Sequence, residues 1–147
     1  MGKYILLIFP LVTLAACTSV NVKPVDNVSS IKHVCVQECP DDCFVEDMPE
    51  VIVEGLERNG ISAERFIGKM PEDCEYHLKY TCNVTWDMAM YMHHAEIRLL
   101  QGRKQIGSAV YHLTGQGGLS LMKWQGTRAK IDPVIDELFG KKAAGSN

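Results

Sequence analysis

Between residues 74 and 86 apolar and polar side chains alternate without interruption. Tyr76, Leu78, Tyr80, Cys82, Val84 and Trp86 fall on one side, and Glu75, His77, Lys79, Thr81, Asn83 and Thr85 on the other. A period of two marks a strand with one face in a core and the other in water. The segments 91–100 and 104–113 flank Gln101-Gly102-Arg103 and read as a hairpin closed by a tight turn. With Gly102 and Arg103 as the turn residues, Gln101 faces Lys104, and Ala95, Ile97 and Leu99 lie beside Val110, Ser108 and Ile106. This register buries Ile97 and Val110, leaves Glu96 and Arg98 in water, and sets His93 opposite His112.

Upstream, residues 31–37 carry the β-branched residues of a short strand, and Cys39-Pro40-Asp41-Asp42-Cys43 is a turn-rich loop. Asp47 and Glu50 then have the spacing of a capping box, Pro49 is tolerated in a first turn, and Val51, Ile52 and Leu56 form an apolar face. A helix over 48–59 follows, stopped at Asn59-Gly60 and succeeded by a short strand near 61–67. After Gly115 to Gly118 breaks the sheet, Thr127 can cap a last helix whose Ile131, Val134, Ile135, Leu138 and Phe139 recur at helical spacing. The order predicts an α+β fold of two layers: a mostly antiparallel sheet of four to five strands with two helices packed on one face.

The first sixteen residues follow another rule. Lys3 is the only charge ahead of an apolar run over 4–14, which is too short to span a bilayer as a helix of about 20 residues. The run ends in Leu14-Ala15-Ala16-Cys17, which resembles the lipobox of bacterial lipoproteins. Residues 1–16 would then be a cleaved signal peptide, with Cys17 the lipidated N-terminus of the mature chain. Thr18 stands where an Asp would resemble an inner-membrane retention signal, which points to the outer membrane in a Gram-negative host. Residues 17–30 are polar and aperiodic and read as a flexible tether, 31–140 as one domain, and 141–147 as a disordered tail.

Charge narrows the partners. A net charge of −3 without a basic tract leaves no footprint for nucleic acid, and 147 residues suffice for one modest core. No nucleophile motif such as G-x-S-x-G is present, and Gly115-x-Gly117-Gly118 lacks the Lys-Ser/Thr of a phosphate loop, so no catalytic residue, cofactor or enzyme activity is assigned.

The chain also resembles a family of small, uncharacterised proteobacterial lipoproteins of the outer-membrane type. The resemblance rests on the strand around Cys35, Gly60, Cys74-Glu75-Tyr76, Tyr80-Thr81, Trp86-Asp87, Tyr91 and Ala95-Glu96. It continues through Tyr111-His112-Leu113, Lys123-Trp124, Ile131-Asp132 and Asp136-Glu137-Leu138. Trp86-Asp87 and Lys123-Trp124 are its more distinctive parts, and what it implies is the address and the fold.

Lipidation of Cys17 leaves five cysteines in a compartment where disulfides persist. Cys35 lies in the first strand and Cys74 opens the long one, the two positions that the resemblance also marks, so they are the expected bridge. Cys39 and Cys43 share a loop that permits a local bond, and Cys82 is left as the odd, buried thiol. Cys35-x3-Cys39-x3-Cys43 beside His33 has poor zinc spacing, and no metal site is assigned. Trp86 and Trp124 are candidate partner-binding residues, although the plainer account has both rings covering the sheet edge or the last helix. The sequence thus predicts a membrane-anchored envelope lipoprotein that acts as a non-catalytic binding or assembly module with an envelope protein partner. A metal-binding or thiol redox-sensing periplasmic protein is the alternative.

Overall fold

The computed structural model describes residues 18–38, 41–114 and 121–141. In chain order the elements are β1 (Thr18–Lys23), β2 (His33–Gln37), α1 (Met48–Arg58), β3 (Ser62–Phe66), β4 (Tyr76–Asp87), β5 (Ala89–Gln101), β6 (Lys104–Leu113) and α2 (Thr127–Leu138). They form an α+β fold around a six-stranded sheet of order β1-β6-β5-β4-β2-β3. The sheet is mixed. β2 runs parallel to both β3 and β4, whereas the β4–β5, β5–β6 and β1–β6 pairs are antiparallel.

The alternation along β4 holds at Leu78, Tyr80 and Cys82, which are buried in one core with Val34, Val36, Ala95, Ile97 and Leu99, but His77 on the expected wet side is buried and Trp86 on the expected core side is exposed. Both helices feed that core, α1 through Met48, Val51, Ile52 and Leu56, and α2 through Ile131, Val134, Ile135 and Leu138. Where the helices meet, Gly55 has no side chain because an added Cβ would lie 2.9 Å from Ile135 Cγ2. Arg58 closes the contact with ion pairs to Asp132 and Asp136.

Several expectations change. The sixth strand arises because residues 18–23, read as tether, pair in register with β6 from Thr18↔Leu113 to Lys23↔Ser108. Val20 and Val22 are too isolated to announce a strand, and the pairing partner is some ninety residues away in sequence. The capping residues also take other roles. Asp47 precedes α1 without a side-chain cap and accepts a hydrogen bond from the Thr127 hydroxyl at 2.6 Å, while Gly126 holds the N-cap position of α2. One bond between the two helix starts replaces two separate caps.

The third correction is the hairpin register. Gln101 does face Lys104, but a bulge follows: Leu100 pairs with Gln105 and Leu99 with Gly107, so Ile106 is the extra residue. Beyond it every partner moves by one, and Ile97 faces Ala109 while Glu96 faces Val110. A one-residue slip turns a strand over. Ile97 is therefore buried, Arg98 is exposed, and Val110 lies with Glu96 on the outer face, only partly covered. The bulge brings the small residues Gly107 and Ala109 under α2, and a Cβ on Gly107 would come within 2.7 Å of Val25 Cγ2 and 3.1 Å of Leu138 Cδ1.

Two disulfides staple the sheet, Cys35–Cys74 and Cys43–Cys82. The second overturns both the Cys39–Cys43 pairing and the reading of Cys82 as a free thiol; Cys39, like Cys17, lies outside the described residues. Its cause is the path of the chain after β2. That path runs beside β4, places Cys43 in a parallel bridge with Cys82, and brings their Cα atoms to 4.5 Å.

His77 sits on the outer face of β4 between Cys35 of β2 and Leu100 of β5. It is buried and its Nδ1 finds no partner, so desolvation, with Lys79 adding repulsion, holds its pKa below the ordinary histidine value. The ring is neutral in the fold, and the unfolded chain, with a pKa of about 6.5, takes up the proton first. Stability is thus complete above that pH and falls as pH drops through it toward the folded pKa. His93 is displaced in the same direction by burial and its two histidine neighbours and adds to the effect. Urea midpoints measured at pH 7.5 and 5.5 should differ in the parent, and the difference should shrink in His77→Gln. An undiminished difference would assign the acid sensitivity to other groups.

Candidate functional site: an apolar hairpin apex

The β4–β5 hairpin runs beyond its neighbours. A second bulge, between Asn83 and Val84, sets Asn83 opposite His94 and Val84 opposite Met92, which leaves His93 as the extra residue. On the other side of β5 the bulge at Ile106 has already moved the register, so that His94, not His93, faces His112, with the two Nδ1 atoms 3.3 Å apart. Past the bulge Trp86 pairs with Met90 and Asp87 with Ala89, and Met88 turns the chain at a φ of 63°. Side chains rarely adopt that left-handed conformation, which is ordinarily left to Gly, Asn or Asp.

The apex is apolar where a turn is ordinarily polar. Trp86 is 70% exposed, Met88 82% and Met90 63%, and beside them Phe44 is 77% and Trp124 47% exposed. Phe44, Met90 and Trp124 rim a groove of about 390 Å³ floored by Tyr91, Met92, Lys123 and Lys130. Trp86 is largely exposed, whereas Trp124 is half-buried and lines the groove beside Thr127 and Lys130 at the start of α2. A single exposed apolar residue needs no explanation, but a contiguous group marks a surface that meets something.

Below the rim the two tryptophan motifs are tied together. Lys123, itself buried, forms an ion pair with Asp87, so Lys123-Trp124 is fastened to Trp86-Asp87 across 36 residues of chain. The Lys123 ammonium also lies 5.3 Å from the Tyr91 ring centroid and 5.4 Å from that of Trp124. Lys130, on α2, donates to the carbonyls of Met92 at 3.0 Å and Lys123 at 2.9 Å, with its ammonium 5.9 Å from the same Tyr91 ring. Burial lowers its pKa. These bonds tie the Lys123-Trp124 segment to the β4–β5 hairpin and to α2 beneath the rim.

The expected residues distribute unevenly. Trp86 and Trp124 share the apex, while Cys35 and Cys74 lie bonded on the other side of the sheet centre. His33, Cys35 and Glu64 do bring ligand atoms within 4.8 Å of one another, with His33 Nε2 3.4 Å from Glu64, but the Cys35 sulfur is committed to its disulfide. The Gly115 to Gly118 segment lies outside the described residues.

Chain comparison adds fold alone. The sequence matches no protein-family model and no curated protein. Among solved structures it is similar to the PelC dodecamer from Paraburkholderia phytofirmans, in two crystal forms. One aligns with a TM-score of 0.57 at 13% identity, covering 88% of this chain and 99% of that one. The other, a single-substitution variant, gives 0.56 at 15% identity with the same coverage.

Sequence reading missed Phe44, Met88, Met90 and the burial of Lys130. A signal existed for the last: Lys130 stands four residues before Val134 and eight before Leu138, on the apolar stripe itself. Met88-Ala89-Met90, an apolar turn between two strands, was the other.

Proposed function

We propose that this protein is a lipid-anchored lipoprotein of the cell envelope, attached through Cys17 after removal of residues 1–16, and that its domain is a non-catalytic docking module. The observation that carries the docking role is the apolar apex, in which Trp86 and Trp124 stand exposed on a base fixed by the Asp87–Lys123 ion pair. Holding large apolar rings in water in a fixed pose has no use in the stability of the isolated domain, whereas a surface for association needs such preorganised anchors. The Leu14-Ala15-Ala16-Cys17 sequence supports the attachment. Two disulfides suit an oxidising compartment.

Replacing Cys17 with Ser tests the attachment. The variant should accumulate as an unprocessed precursor or a misrouted protein and incorporate no labelled fatty acid. A correctly processed Cys17→Ser chain retained in the membrane fraction as well as the parent would overturn the proposal.

A further inference from the structure

We propose that the β4–β5 apex is a lipid-binding surface that enters the headgroup layer of the membrane to which the chain is anchored. The inference rests on the anchored reading above and names the partner of the apex as the bilayer itself.

Topology carries it. Thr18, the first residue of β1, pairs with Leu113, the last of β6, and β6 ends opposite the stretch of β5 next to His94. β4 ends and β5 begins at that same edge of the sheet, so the chain enters the fold at the apex end. From the level of Thr18 the hairpin continues for about five more residues to Met88, on the order of 15 Å at 3.3 Å per residue. Cys17 is one peptide unit, about 3.8 Å, from Thr18. An acyl anchor on Cys17 therefore leaves no free tether: β1 is clamped to β6 from its first residue, and the anchored end of the domain is the apolar one.

Chemistry agrees with position. Tryptophan concentrates at the boundary between headgroups and acyl chains, where its ring is apolar and its N–H finds an acceptor. Apolar surface seated 5–10 Å into that boundary is the usual depth for a surface-bound protein. Trp86, Met88, Met90, Phe44 and Trp124 are the residues that this depth covers if the domain leans toward its groove side.

The protein reports on this surface by itself, because Trp86 and Trp124 are its only tryptophans. The mature lipidated chain would be mixed with phosphatidylethanolamine and phosphatidylglycerol vesicles containing dibrominated acyl chains, and its emission compared with that on unbrominated vesicles. The expected result is a blue shift and quenching, stronger in Trp124→Phe, which reads Trp86 alone, than in Trp86→Phe. Introducing Met88→Asp should weaken the quenching while the far-ultraviolet dichroism stays unchanged. Retention on vesicles with unquenched tryptophan emission would overturn the inference and leave the anchor standing. Failure of the mature chain to associate with vesicles would overturn both. A blue shift that grows with protein concentration in the absence of lipid would give the apex to a second copy of the chain, which also overturns it.

Discussion

Replacing Cys43 and Cys82 together by alanine should destabilise the domain by about 4 kcal/mol on the chain-entropy account of a loop of about 40 residues. The sequence separation of the pair is 39, the same as for Cys35–Cys74. Against a total stability of about 5–15 kcal/mol the loss is large, and for a domain of this size it corresponds to roughly 10–25 °C in Tm. The loops interleave, since Cys43 lies inside the first and Cys74 inside the second. Restricting one loop already shortens the freedom that the other removes, so full reduction should cost less than twice the single variant. Peptide mapping under non-reducing conditions checks the pairing directly: a Cys43 peptide joined to Cys39 would contradict the fold of the loop after β2.

Truncating Ile97 to Ala should cost about 2–5 kcal/mol, the range for an aliphatic side chain removed from a closed core. Ile97 is fully buried opposite Ala109, a position that offers no neighbour large enough to fill the space. Val110→Ala, one pair further along β6 but on the outer face beside Glu96, should cost no more than about 1 kcal/mol. Urea unfolding of both variants decides the register. Equal large losses would mean that Val110 shares the core, as it would if Ile106 were not bulged.

Much of this was legible because it is local. The period of two over 74–86 and the helical spacing of Ile131 to Phe139 are properties of neighbouring residues, and the structure places β4 and α2 there. The bulge at Ile106 was not, because nothing in Lys104 to Leu113 says which residue is extra; that is decided by the room α2 needs above Gly107. β1 was hidden for a similar reason. An edge strand with half-exposed valines has little pattern of its own and is defined by its partner. The apex shows the opposite limit: Trp86 and Trp124 were visible as candidates, but the ion pair between Asp87 and Lys123 that joins their two segments is something no spacing reveals.

The pairing of β1 along β6 has a mechanical meaning. Force applied through the N-terminus acts along the axis of β1, so the six registered pairs from Thr18↔Leu113 to Lys23↔Ser108 are loaded in shear, all at once. Rungs pulled together share the load, whereas rungs opened from one end fail in turn. A domain pulled from its N-terminus would therefore resist as a unit up to a threshold and then release the whole strand in one step, exposing the edge of β6.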